Sequence, residues 1–290
     1  MTETTEEHWA PQSESFNFIP FAADRAYREA NRALLKRAFA YLPARFFHVD
    51  VATGTGLVPQ EVSALCEEEG KCATVVGIDP DRFAIESARR HTRSGPSCSI
   101  EFVQGMAQDL ARLLAGRIPR EGVDYTSIHD ALHEIRDDED KRGVVAAMAR
   151  ILKPGAILTY NSAFTTVAMD EAPMDWGRLK AKAFAILGRK RDRQMPAFKV
   201  YTPEQYRQMI TDAGLAVIYE ARRVVMLSRA ALEAIARYPA FVEGAFSDMV
   251  GTQQVSLEEK SRTILAAIDS LGIVAIPRVW HEIIAQRPAS

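Results

Sequence analysis

Residues 48–60 read HVDVATGTGLVPQ. Gly54 and Gly56 follow a short apolar run at once, with Asp50 before them and Pro59 after. Glycine brings no Cβ, so such a loop lets backbone approach a ligand closely. Gly-rich loops of this kind hold a nucleotide-like ligand against the start of a helix. A second carboxylate, Asp79, ends the run VVGIDP. It lies about 20 residues beyond the loop, the spacing at which the acid of a dinucleotide fold accepts hydrogen bonds from ribose hydroxyls. Read without the loop, Asp79 is only a turn residue before Pro80. Downstream, SIHDALHEIRD carries His129 and His133. Imidazole titrates near neutrality, so either histidine is a candidate general base. The His-x3-His-Glu pattern has no third ligand at convincing spacing, so no metal site is expected.

The details of the loop select among ligands. A phosphate loop of the Walker type needs a lysine after its last glycine, and Leu57 stands there instead. The dinucleotide fingerprint places a third Gly or Ala where this chain has Pro59, which disfavours a nicotinamide or flavin cofactor.

The elements that must position these residues alternate. RAYREANRALLKRAFAYL (25–42) has helical apolar spacing and ends at Pro43. RFFHVDVAT (45–53), CATVVGIDP (72–80), SIEFVQG (99–105), VDYTSIHDAL (123–132), AILTYNSAF (156–164) and AVIYEARRVVML (216–227) read as strands. Between them, LVPQEVSALCEEEG (57–70), RFAIESARRHTR (82–93), DDEDKRGVVAAMARIL (137–152) and TPEQYRQMITDAGL (202–215) read as helices. RVWHEIIAQR (278–287) is apolar enough for a seventh strand. This alternation implies parallel pairing through right-handed crossovers, hence an α/β sheet with helices on both faces. Ligands in such sheets sit at the carboxyl ends of the strands. Residues 165–200 and 228–271 break the alternation at that edge and are expected, with 17–44, to cap the site. Residues 1–16 are expected to be a loose tail, and 17–290 a single domain.

Composition narrows the function classes. The chain has 290 residues, 47% hydrophobic and 26% charged, with a net charge of −2. A nucleic-acid-binding domain would be basic, so general nucleic-acid binding is not expected. No apolar run approaches the roughly 20 residues that span a bilayer. The polar, acidic start MTETTEEHWAPQSES is neither a signal nor a transit peptide, and Cys66, Cys72 and Cys98 show no disulfide or metal spacing. A cytoplasmic location is expected.

VDVATGTG, VVGIDP, VQGMAQDL, VDYTSIHDALHEIRDDED and ARILKPGAILTYNSAF, in that order and spacing, resemble the class I S-adenosylmethionine-dependent methyltransferases. The loop wording is similar to the ubiquinone and menaquinone C-methyltransferase group. The motifs cover about residues 45–165 and extend loosely to 227. The resemblance implies a Rossmann-like, doubly wound, seven-stranded sheet whose last strand is antiparallel. It implies S-adenosylmethionine as cofactor, held by Asp50, Ala52, Gly54, Gly56, Asp79, Pro80, Met106, Ala107 and His129. Asp79 would take the ribose and Asp50 the ligand's ammonium. The family commonly shows Gly-Asp-Ala after the third strand, whose acid accepts from the adenine amino group. Here the stretch is Gly105-Met106-Ala107, so Gln108 or Asp109 would have to substitute. Relatives carry an Ala-Leu-His like that of His133 as a packing feature.

The reading is a methyltransferase whose partner is a small or lipid-like acceptor, and a homodimer is compatible with it. Its rivals are a nicotinamide-dependent oxidoreductase and a catalytically silent cofactor-binding protein on the same fold. Phe164, Met169, Met174, Trp176, Phe184, Phe241, Phe246 and Met249 are candidates for an apolar acceptor pocket. Arg178, Lys180, Lys182, Arg189, Lys190, Arg191, Arg193 and Lys199 crowd one segment in which Asp192 is the only acid. Such a field would attract an anionic acceptor, unless it is a solvated helix face.

Overall fold

A computed structural model of the chain describes residues 11–135, 137–170, 173–192, 194 and 200–289. Its elements run α1 (Ile19–Ala22), α2 (Arg25–Phe39), β1 (Arg45–Val51), α3 (Leu57–Glu69), β2 (Cys72–Asp79), α4 (Arg82–His91), β3 (Cys98–Gln104), α5 (Leu110–Leu113) and β4 (Val123–His129). They continue with α6 (Asp138–Ile151), β5 (Leu152–Ser162), α7 (Thr166–Asp170), α8 (Pro173–Ile186), α9 (Pro203–Asp212) and β6 (Ala216–Ser228). The chain ends with α10 (Arg229–Ile235), α11 (Pro239–Phe246), α12 (Leu257–Ser270) and β7 (Ala275–Gln286).

Local chemistry accounts for the helix starts. Asp24, Asp81, Asp137, Ser228 and Ser256 each accept a backbone N–H at the start of α2, α4, α6, α10 and α12. Thr202 and Gln205 form a reciprocal capping box on α9. Acids at Asp138, Glu139 and Asp140 complement the positive end of the α6 dipole.

The seven strands form one sheet in the order β3-β2-β1-β4-β5-β7-β6. β1 pairs in parallel with β2 and β4, β4 with β5, and β2 with β3. β7 inserts between β5 and β6 and runs antiparallel to both. The chain order reverses between β1 and β4, which opens the crevice where ligands of open α/β sheets bind. On one face, Leu34, Leu35, Ala38 and Phe39 of α2 pack with Val62 and Leu65 of α3 over Val75, Tyr125 and Ile157. On the other, Val144 and Met148 of α6 and Met209 and Ile210 of α9 cover Val76, Ile128 and Leu158.

A third cluster stands beyond the carboxyl edge. Phe21, Leu179, Phe184, Leu232, Val242, Phe246, Met249 and Ile264 come from α1, α8 and the 228–271 stretch. They close on Leu227 and Trp280, residues that β6 and the antiparallel β7 present at that edge. Residues 11–16, expected in a loose tail, are drawn in as well. The Gln12 N–H donates to Asp81, and the Gln12 side chain accepts from the Phe18 N–H.

The basic segment folds onto this cluster. Asp248 is 1% exposed and pairs with Lys180 at 2.6 Å and Arg191 at 2.8 Å, while Arg189 donates to Gln254. Arg193 and Lys199 lie outside the described residues. Part of the expected positive field is therefore spent tying α8 to the loop after α11. Asp248→Ala is expected to lower stability by about 1–2 kcal/mol, because a buried charge-assisted contact is lost but both cations reach water. The midpoint of urea unfolding measures it.

Candidate functional site

The glycine loop turns at the carboxyl end of β1. Ala52 takes a left-handed φ of +53°, and Gly54 and Gly56 follow at +54° and +91°. A Cβ on Gly54 would meet nothing within 4 Å, so open space lies before its backbone. A Cβ on Gly56 would stand 2.6 Å from the Thr92 hydroxyl, so that glycine serves packing against α4 and β3. The Thr53 N–H donates to the Ile78 carbonyl and so ties the loop to β2.

Two buried carboxylates brace this loop. Asp50 accepts from the hydroxyls of Thr53 at 2.7 Å and Ser127 at 2.5 Å. Asp79 accepts from the N–H groups of Gly54 at 2.8 Å and Asp81 at 2.9 Å. Each Asp79 oxygen keeps a further lone pair. Burial pushes the Asp50 carboxyl up to about 7, with Asp79 adding repulsion, and pushes Asp79 up to about 6. Pro80 caps β2, and its carbonyl accepts from the Gln104 side chain. A surface pocket of about 410 Å³ opens beside it, lined by Pro11, Gln12, Asp81 and Phe83 among others. Met106, 39% exposed, and Ala107 begin the turn after β3. Asp109 is drawn into an ion pair with Arg112 at 2.7 Å.

The two histidines differ in their surroundings. His129 is 7% exposed, with Nδ1 3.0 Å from Asn31 Oδ1 and Nε2 2.8 Å from Thr159 Oγ1. An amide oxygen only accepts, so Nδ1 carries the proton and Nε2 accepts from the Thr159 hydroxyl. Burial pushes His129 down to about 3. The ring thus joins α2 to β4 and β5 as a neutral imidazole. His133 stacks on Phe164 with centroids 4.3 Å apart and lies 3.3 Å from Ser162 Oγ. Burial, with Arg278 and Lys141 nearby, pushes it down to about 3 as well. Neither ring is a strong proton acceptor at neutral pH.

Other groups gather beside them. Asp130 follows β4 with φ +51°, its N–H on the Asn161 carbonyl and its Oδ1 accepting from the Ala163 N–H at 3.1 Å. Burial pushes its carboxyl up to about 7. Glu134 accepts from the Tyr238 hydroxyl at 2.8 Å and is pushed up to about 8 by burial. Arg278, 2% exposed, lies 4.6 Å from the Phe164 ring centre and 4.3 Å from that of Trp176. Asp130, Arg278, Phe21, Phe164, Trp176, Phe241 and Trp280 line a cavity of about 10 Å³. That volume admits roughly one water. Of the expected pocket residues, Phe164, Trp176 and Phe241 line it, whereas Phe184, Phe246 and Met249 are core. The side chains of Met169 and Met174 lie outside the described residues.

Residues 49–155, which span the glycine loop, both carboxylates and both histidines, match the family described as a methyltransferase domain. Residues 49–155 of this chain therefore carry a methyltransferase domain. Its fold is similar to that of an S-adenosylmethionine-dependent methyltransferase of Methanosarcina mazei. That pair is 16% identical with a TM-score of 0.54, covering 87% of this chain and 97% of the other. The YcgJ protein of Bacillus subtilis is 15% identical, with a TM-score of 0.55 over 90% of this chain and 100% of that one. The N-methyltransferase NodS of Bradyrhizobium japonicum, solved with S-adenosyl-L-homocysteine, is 13% identical, with a TM-score of 0.51 over 92% and 89%. Among the curated proteins, none matches this chain.

The residues present fit S-adenosylmethionine, the methyl donor that a methyltransferase domain implies. The space before Gly54 is open, Asp79 has lone pairs to spare, and two buried carboxylates suit a ligand that carries a sulfonium and an ammonium. Asn31, Asp130, Tyr238 and Arg278 escaped the sequence reading. Asn31 is a polar residue on the apolar face of α2, and Arg278 interrupts an apolar strand. Those interruptions were the available signals.

Proposed function

We propose that this methyltransferase transfers the methyl group to a small or lipid-like metabolite that carries an anionic group. The observation that carries this reading is the closed, aromatic-lined cavity holding the Arg278 guanidinium at the carboxyl edge of the sheet. Largely apolar walls with a few convergent polar groups suit a small molecule, not an open groove for a polymer. The anionic preference rests on the guanidinium that Arg278 places on the cavity wall and on the basic segment beside it, in which Lys180 and Arg191 pair with Asp248. The wording of the glycine loop, similar to quinone methyltransferases, supports a lipid-like body.

In this reading Asp79 binds the ribose, Asp50 attracts the ammonium, and Ala52, Gly54 and Gly56 shape the backbone cradle. Pro80, Met106 and Ala107 flank the adenine, with Met106 packing on the ring. His129 holds the wall between α2 and β4. Bound S-adenosylmethionine supplies a methyl group already activated on sulfur, so alignment of the acceptor is the protein's main task. Residues 17–44, 165–200 and 228–271 act as the cap. With the cavity this small, the cap must part to admit an acceptor and close to exclude water.

The test supplies methyl-labelled S-adenosylmethionine and an extract fractionated into small molecules, lipids, nucleic acids and proteins. Label in a small-molecule or lipid fraction is the expected result, and label only in nucleic acid or protein overturns the reading. Calorimetry adds a pH test of the cofactor site. A cationic ligand favours ionised Asp50 and Asp79, so binding must lower their raised pKa values and release protons. Affinity is expected to rise from about pH 5.5 to about pH 8 and then level. An affinity flat across that range would contradict the assignment.

A further inference from the structure

We propose that Asp130 faces the reacting atoms and takes the proton of an acceptor whose methylated atom carries one. The inference rests on the methyl-transfer reading above and adds the chemical class of its substrate: a hydroxyl, or a primary or secondary amine whose N–H proton must leave, not a thioether or tertiary amine.

Four observations converge on this residue. Asp130 directly follows β4, beside the point where the sheet order reverses. Its backbone is left-handed at φ +51°, an arrangement that costs an L-residue energy and persists only where the surroundings impose it. Two bonds impose it here: the Asp130 N–H donates to the Asn161 carbonyl, and Oδ1 accepts from the Ala163 N–H. Finally, the side chain lines the cavity that also holds Arg278. Oδ1 is thereby fixed, while Oδ2 takes no hydrogen bond from the described residues.

The neighbouring groups leave few alternatives. His129 is engaged through both ring nitrogens, and His133 is stacked on Phe164. Glu134 accepts from Tyr238. Burial raises Asp130 while Arg278 opposes the rise, and the balance near 7 suits a group that must exist ionised and then hold a proton. Tyr27, Glu134, Tyr160, Tyr206 and Tyr238 also interact with it.

The step balances without any added reagent. The acceptor's nucleophilic atom gains the methyl group as the carbon–sulfur bond breaks, and sulfur keeps the bonding pair as a neutral thioether. The proton passes from the acceptor to Oδ2 of Asp130 and from there to solvent when the cap opens.

The experiment needs no acceptor. S-Adenosylhomocysteine lacks the methyl group, and sinefungin carries a protonated amine in its place. A carboxylate facing that position favours sinefungin. Calorimetry is run on wild type, Asp130→Asn, and Glu134→Gln as a comparison. The ratio of sinefungin to S-adenosylhomocysteine affinity is expected to fall at least about tenfold in Asp130→Asn, the scale of one charge-assisted hydrogen bond. S-Adenosylhomocysteine affinity itself should hold. An unchanged ratio, or an equal loss for both ligands, overturns the role of Asp130, and a loss confined to Glu134→Gln reassigns it. Failure of wild type to bind either ligand would instead overturn the cofactor reading beneath it.

Discussion

Gly56→Ala is expected to destabilise the protein by about 2–6 kcal/mol, whereas Gly54→Ala is expected to cost only about 1–2 kcal/mol of stability and to weaken cofactor binding. At Gly56 two penalties add. The left-handed φ of +91° costs a residue with a Cβ about 1–3 kcal/mol. The new methyl would also stand 2.6 Å from Thr92 Oγ1 and 3.2 Å from Phe102. Thr92 cannot swing away freely, since its hydroxyl accepts from Gln60 and it closes α4. Overpacking of this kind costs about 1–3 kcal/mol. Against a usual stability of roughly 5–15 kcal/mol, the loss is large. At Gly54 the φ of +54° lies in the ordinary left-handed well and no atom stands within 4 Å, so only a backbone cost of about 1–2 kcal/mol applies. The added methyl instead fills the space assigned to the ligand. Urea unfolding and calorimetry on the two variants test the split. Equal stability in both would mean that the loop is not packed as described.

Asp79→Ala is expected to weaken S-adenosylmethionine binding by about 2–3 kcal/mol, the loss typical of hydrogen bonds to a charged group. That corresponds to roughly 30- to 150-fold in Kd. Two effects combine, because Asp79 is assigned to the ribose hydroxyls and also holds the Gly54 and Asp81 N–H groups in place. The fold should survive. Burial lifts the Asp79 carboxyl to about 6, above its unfolded range, so its ionisation opposes folding at neutral pH. The sign follows from the direction of the shift. A raised carboxyl favours the folded state below its unfolded pKa, and that advantage is lost as pH rises through about 6. Removing the group at pH 7 therefore removes a burial penalty along with two backbone contacts. Unchanged Kd by calorimetry would remove Asp79 from the site.

The sequence by itself determined the order of strands and helices, the glycine loop and the place of Asp79 at the end of β2. Each is a short-range property. Apolar period, capping chemistry and freedom at positive φ act over a few residues, so they are written locally. The alternation implied the sheet, and it did not place the last strand. β7 lies between β5 and β6, antiparallel to both, with every residue from Trp280 to Ala285 buried. That insertion brings Arg278 beside Asp130 and Phe164, residues far away along the chain. The use of the charged segment was likewise a tertiary outcome, since Asp248 reaches Lys180 and Arg191 only once α11 has packed on α8. The histidines show the same limit most directly. Their spacing offered two candidate bases, yet a proton's affinity for a side chain depends on what surrounds it, and burial held both rings neutral. Only the packed interior decided that His129 would bond Asn31 and Thr159 while Asp130, one residue later, turned into the cavity.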